Sequence, residues 1–256
     1  MFPELFGSIL EDVLAQGIMC RDRIVLFSGG LGSFEVARRV LARIPKSRVR
    51  LWFFDTLIED HDLYRFLTDA EILLGKAVER YTDGRNPWEV FRDKRFIGNT
   101  RVCPCNWVLK IQMLRRLLRQ SYPSGDAVLC FGLGESEGRR ITSVSVRWKA
   151  QGYDCEFPLV GEVYPPAPSV HTPKRPRLYE LGFSHNNCGG ACVKAGIRQW
   201  TQLLRVFPER YRWHEEQEEQ TRLAIGKDIA ILRDRTGGST KPLTLRELRT
   251  RIEWSS

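Results

Sequence analysis

The run Arg23-Ile24-Val25-Leu26-Phe27, followed at once by Ser28-Gly29-Gly30-Leu31-Gly32-Ser33, constrains this chain more than any other segment. The run is β-rich, and after the glycines Val36, Ala37, Val40, Leu41 and Ile44 recur at helical spacing. A strand, a glycine-rich turn and a helix in that order present unpaired backbone N–H groups at the positive end of a helix dipole, a ready anion site. Gly29, Gly30 and Gly32 let the main chain approach phosphate oxygens with no Cβ in the way, while Ser28 and Ser33 add hydroxyl donors. A tight turn that merely needs glycine is the bland alternative. The flanking serines and the strand-to-helix context favour the phosphate site.

The pattern then repeats. Val49–Phe54 reads as a buried strand ending at Asp55-Thr56, Asp60–Leu74 as a helix, Ala77–Tyr81 as a short strand and Pro87–Arg92 as a short helix. Asn106–Arg119 is amphipathic through Val108, Ile111, Leu114, Leu117 and Leu118, and Ala127–Gly132 is a further apolar strand. Phe2–Gln16 also has helical spacing. Alternating strands and helices imply right-handed crossovers and an α/β, Rossmann-like, doubly wound, mainly parallel sheet with helices on both faces. From Ile141 to Arg177 the periodicity weakens and six prolines intervene, which predicts a connector. The expected organisation is an α/β domain over 1–177 and a mostly helical, Cys-containing C-terminal extension over 178–256.

Composition narrows the function classes. The chain has 256 residues, of which 42% are hydrophobic and 28% charged, enough for a sizeable core, and no stretch approaches the ~20 apolar residues of a membrane span. Glu4, Glu11 and Asp12 stand where an export signal would be basic, so the expectation is a cytoplasmic protein with no membrane partner. A net charge of +9 favours polyanionic partners and is compatible with a nucleotide, tRNA or DNA. Of the seven cysteines, Cys103 with Cys105 and Cys188 with Cys192 form two close pairs. Four thiolates at such spacing suit Zn²⁺ or an iron-sulfur cluster; small buried hydrophobes are the other reading, and the usual one for Cys20, Cys130 and Cys155. Trp200, Phe207, Tyr211 and Trp213 interleave with Arg198, Arg205, Arg210 and Arg212, as on a nucleic-acid surface, although at helical spacing such aromatics more often form core.

The first loop is neither a P-loop nor a dinucleotide fingerprint, because no lysine follows its glycines and its spacing is shorter. It resembles the SGGxDS loop of the PP-loop ATP pyrophosphatase superfamily of adenine nucleotide α-hydrolases. Phe54-Asp55-Thr56, Cys103–Leu118 and Gly132–Arg140 extend the likeness to the PAPS-reductase-like (CysH-like) branch, which includes phage members and accessories of type IV CRISPR systems. Gly32 stands where most of the superfamily carries an aspartate that assists with magnesium and pyrophosphate. Pro104 splits the cysteines that are adjacent in assimilatory reductases, and no Cys-Gly-x-His tail is found.

The resemblance implies ATP or a related adenine nucleotide, with Mg²⁺, held by Phe27, Ser28, Gly29, Gly30, Gly32, Ser33, Asp55, Thr56, Gly132, Glu135 and Arg139. It further implies a four-iron cluster on Cys103, Cys105, Cys188 and Cys192, with Zn²⁺ as the alternative metal. Cleavage at the α-phosphorus, with pyrophosphate release and adenylation of an acceptor, is the leading expectation. Sulfonucleotide reduction or sulfur transfer through the cysteines is the second. A non-catalytic, nucleotide-binding accessory of a nucleic-acid system, such as a CRISPR complex, is the third.

Overall fold

The computed structural model describes residues 21–99, 101–166, 171–236 and 240–254. The helix expected over Phe2–Gln16, and Cys20, lie outside them. Strand β1 (Asp22–Leu26) leads through the glycine loop into α1 (Leu31–Arg43), and β2 (Val49–Asp55), α2 (His61–Leu74), β3 (Val78–Thr82) and α3 (Pro87–Lys94) follow. A short turn at Pro104–Asn106 and a π-helical stretch Trp107–Gln112 run into α4 (Met113–Ser121), then β4 (Ala127–Cys130), α5 (Gly138–Lys149) and β5 (Asp154–Glu156). The C-terminal part comprises α6 (Arg177–Glu180), α7 (Ile197–Val206), α8 (Pro208–Ile225), the antiparallel pair β6 (Leu232–Asp234) and β7 (Lys241–Leu243), and α9 (Leu245–Trp254).

Five strands form one parallel sheet in the order β3-β2-β1-β4-β5, the Rossmann-like α/β architecture expected from the alternation. Val25 pairs with Leu51 on one side and with Cys130 on the other. The strand order reverses between β1 and β4, so their carboxyl ends flank the topological switch point at which such sheets bind ligands.

Two expectations are corrected. Asn106–Arg119 is not one regular helix, because a π stretch precedes α4 and resets the phase of its side chains. Nor is 141–177 a plain connector, since α5 occupies its start and β5 joins the sheet. The helix escaped the sequence reading because its apolar spacing, Ile141, Val144 and Trp148, is short and interleaved with β-branched and hydroxyl residues of modest helix propensity.

The chain divides into two compact units, each assembled from several segments. One runs up to Phe53 and adds Leu67–Arg80 and Arg116–Lys174; the other takes Phe54–Phe66, Tyr81–Arg115 and the chain from Arg175. In the first, Val25, Val36, Val40, Leu51, Leu129 and Trp148 are fully or almost fully buried. Arg23 is buried with them and forks onto Glu156 at 3.0 and 3.3 Å, so its charge is matched inside the sheet. In the second, Trp88, Phe91, Leu109, Trp200, Leu203, Tyr211 and Leu245 make one continuous core. Trp200 and Tyr211 therefore follow the core reading of the aromatic stretch, while Trp213 is 38% exposed.

Candidate functional site

The glycine loop has the geometry its residues dictate. Gly29 takes φ +74°, a left-handed conformation that favours glycine, and Gly30 caps α1 in an extended conformation with no side chain of its own. Ser33 substitutes for that missing cap: its buried hydroxyl accepts from Gly30 N–H at 3.2 Å and donates to Gly30 C=O at 2.8 Å. Ser28 and Ser33 hydroxyls approach to 3.4 Å. Ser28, Leu31 and Gly32 remain exposed, so the first turn of α1 opens to solvent.

Gly132, just past β4, faces this loop; a Cβ there would lie 3.7 Å from Gly32 C and Ser33 N. The first unit thus brings together Ser28–Ser33 and Gly132 at the switch point. Phe27 is 1% exposed, so its side chain belongs to the core and its backbone N–H goes to Trp52 C=O at 2.9 Å. Glu135 and Arg139 are exposed on the segment after Gly132.

Asp55 and Thr56 fall in the second unit. Asp55 accepts from Leu57 N–H at 2.8 Å and from the Tyr64 hydroxyl at 2.9 Å, the turn-forming role its residue type allows. Thr56 is buried and donates to Glu59 at 2.8 Å.

The four clustered cysteines all fall in this same unit. Cys103 and Cys105 Sγ atoms are 3.3 Å apart, and Cys188 and Cys192 are hydrogen-bonded to each other. In each pair that bond splits the two thiols. It holds Cys103 and Cys192 below the usual thiol range and, together with burial, pushes Cys105 and Cys188 up. Lys110, on the π-helical stretch, is pulled down by burial, but Glu59, Cys188, Cys192 and Cys105 outweigh this and raise it, so it stays an ammonium beside the thiols. An ammonium whose charge acts on the thiols suits a thiophilic metal or cluster in kind. In arrangement the thiols stand as two pairs, and among the described residues no three His, Cys, Asp or Glu side chains converge on a common ligating point.

The Cys188 loop is held by backbone geometry and by acids that sequence reasoning did not single out. Cys188, Gly189 and Gly190 take φ of 54°, 59° and 89° in succession. Glu59 accepts from Cys188 N–H at 2.6 Å, Gly189 C=O accepts from Arg210 at 2.8 Å, and Gly190 C=O accepts from Gln199 at 3.0 Å. His185 lies 3.4 Å from the same Gln199 amide, and burial lowers its pKa. A Cβ on Gly189 would meet Ile58 C=O at 2.6 Å. Gly189→Ala is therefore expected to cost about 2–3 kcal/mol in urea unfolding, combining left-handed strain with a backbone clash. Wild-type stability in that variant would show that the loop is not held as described. Lys110 lies inside a segment the resemblance covers and Glu59 outside all of them, and only the packing shows that the two meet.

Cys130 is fully buried in β4, matching the reading of it as a small core hydrophobe. Among the described residues no helix is long and apolar enough to cross a membrane. No family model matches the chain, and no curated protein matches it.

Proposed function

We propose that this chain binds ATP or a related adenine nucleotide by its phosphates at Ser28–Ser33 and cleaves it at the α-phosphorus, releasing pyrophosphate and adenylating an acceptor. The observation that carries the reading is an open first turn of α1, capped by glycine, at the switch point of a parallel sheet and faced by Gly132. Backbone N–H groups of that turn are fixed before the nucleotide arrives. They offset charge on the departing pyrophosphate without reorganisation during the reaction. Ser28 adds an exposed hydroxyl, while Ser33 is occupied in holding Gly30 and acts by fixing the turn. Arg139, exposed and without an ion pair among the described residues, is the cation that this segment offers to phosphate oxygens. The likeness of the loop to the PP-loop superfamily supports the same reading.

Gly32 is the position that decides turnover. A Cβ there meets nothing within 4 Å, so aspartate fits, and in the first turn of a helix a carboxylate in place of glycine is expected to stabilise α1 by about 0.5–1 kcal/mol. The test is release of AMP and pyrophosphate from ATP with Mg²⁺ by wild type and by Gly32→Asp. Release by wild type, raised in the variant, supports the reading. Absence of both products from both proteins, with candidate acceptors present, leaves a non-catalytic nucleotide-binding accessory.

A second reading, sulfonucleotide reduction or sulfur transfer, is favoured by the gathering of the four cysteines in one unit beside Lys110. Cys103, Cys105, Cys188 and Cys192 are the residues that would hold a four-iron cluster or Zn²⁺, which would supply electron transfer or thiolate activation respectively. Iron, sulfide and zinc content of anaerobically purified protein separates the readings: metal-free protein that retains its function after all four are changed to serine removes the second.

A further inference from the structure

We propose that Cys103 with Cys105, and Cys188 with Cys192, are two redox-active dithiols, each of which closes to a disulfide in exchange with a low-molecular-weight disulfide. Cys103 and Cys105 Sγ atoms stand 3.3 Å apart, and Cys188 and Cys192 are hydrogen-bonded to each other. In each pair one thiol is partly exposed, Cys103 or Cys192, and its partner is buried, Cys105 or Cys188. An accessible thiol beside a second one that can resolve it is what thiol–disulfide exchange requires. Backbone N–H groups of Asn106 and Lys194 donate to the two outer sulfurs, and the charge of Lys110 acts on Cys105, Cys188 and Cys192. A single metal asks for a different arrangement. Tetrahedral Zn²⁺, with Zn–S bonds of about 2.3 Å, holds each of its four sulfurs about 3.8 Å from the other three. Here the thiols stand two by two, and among the described residues no three His, Cys, Asp or Glu side chains converge on one ligating point.

The exchange runs in two steps. Cys103, its proton released to solvent, attacks one sulfur of the small disulfide; a new S–S bond forms, the old one breaks, and one thiolate leaves and takes up a proton. Cys105, its own proton released, then attacks the Cys103 sulfur of this mixed disulfide and expels the second thiolate, which is protonated in turn. The net change oxidises two protein thiols to a disulfide and reduces the small disulfide to two thiols, with two electrons and two protons passing between them. Cys192 and Cys188 follow the same course as attacking and resolving thiols. Closure within each pair is local: Cys103 and Cys105 are separated by Pro104 alone, and Cys188 and Cys192 by Gly189, Gly190 and Ala191. This exchange is independent of the nucleotide loop, and it leaves none of the four thiols to hold a resident metal.

The experiment takes the full chain, purified anaerobically and assayed for iron, sulfide and zinc, equilibrates it with excess oxidised glutathione, and reads the products by alkylation and peptide mass mapping. Wild type is expected to be metal-free, to lose all four of these thiols and to yield one disulfide between Cys103 and Cys105 and another between Cys188 and Cys192. Cys130, fully buried, is expected to stay a thiol. Excess reduced glutathione is expected to restore the four. Cys105→Ser is expected to halt at a one-to-one glutathione adduct on Cys103, with the Cys188 to Cys192 disulfide still closing. Cys103→Ser leaves the buried thiol of that pair alone, and Cys105 is expected to take up glutathione about tenfold more slowly than Cys103 does in the first variant. Circular dichroism of both variants is expected to match wild type. Iron or zinc bound in stoichiometric amount, four thiols left free by oxidised glutathione, or disulfides joining one pair to the other would each overturn the proposal.

Discussion

Replacing Asp60 by alanine is expected to destabilise the second unit by about 3–5 kcal/mol, read as a lowered urea midpoint of its tryptophan fluorescence. Asp60 is 1% exposed, and its carboxylate accepts from Arg177 at 2.9 Å through both oxygens and from Arg210 at 2.8 Å. It also accepts from Asp62 N–H at 3.0 Å at the start of α2. Burial alone would raise its pKa, but the bonds from Arg177, Asp62 N–H and Arg210 outweigh it and leave the group lowered, hence ionised. Alanine strands two arginines, one of which holds Gly189 C=O, so the damage reaches the cysteine loop. Asp60→Asn keeps the turn but not the charge and is expected to fall between wild type and alanine. Equal stability of all three proteins would show that the carboxylate is not the anchor.

Acid is expected to unfold the second unit through His214. This side chain is 2% exposed and neutral, accepting the Trp88 indole N–H at Nδ1 over 2.9 Å with Trp200 and Trp213 rings around it. Burial, with Arg210 as the secondary cause, lowers its pKa to about 3. The unfolded chain takes up this proton near pH 6.5, and the native one only near pH 3. The contribution to stability is therefore complete above pH 6.5 and is lost progressively as pH falls to 3, by about 5 kcal/mol in all. Glu218 works in the opposite sense. Burial raises it to about 7, so its contribution is complete below about pH 4.5 and is lost as pH rises towards 7. The two offset each other between about pH 4.5 and 6.5, and the loss through His214 emerges below that range. His214→Gln keeps an acceptor for Trp88 but cannot titrate. The stability difference between wild type and this variant is expected to shrink as pH falls, and parallel curves would contradict the assignment.

These two residues illustrate how far the sequence could be read. The sheet was legible because β1, β2 and β4 are apolar runs closed by glycine or by Asp-Thr, and burial on both faces leaves just that signature. The loop was legible because its chemistry is local: four backbone positions and two serines carry it. Asp60, Glu59 and Lys110 were not, because an acid or a lysine acquires a special role only from what the chain brings beside it over separations of up to 150 residues. The helix α5 was missed for a local reason: its apolar spacing is short and set among residues of modest helix propensity. The assembly of each unit from discontinuous segments leaves no compositional trace at the crossing points.

The Gly32 position separates binding from turnover, and binding is the more basic claim. It is tested most directly by calorimetry of ATP, AMP and PAPS with wild type and with a Gly29→Val, Gly30→Val variant whose circular dichroism matches wild type. The expected result is that wild type binds ATP, and binds AMP more weakly because the phosphates carry the affinity, while the variant binds neither measurably. Undiminished ATP binding by the variant would contradict the assignment of Ser28–Ser33 as the phosphate site.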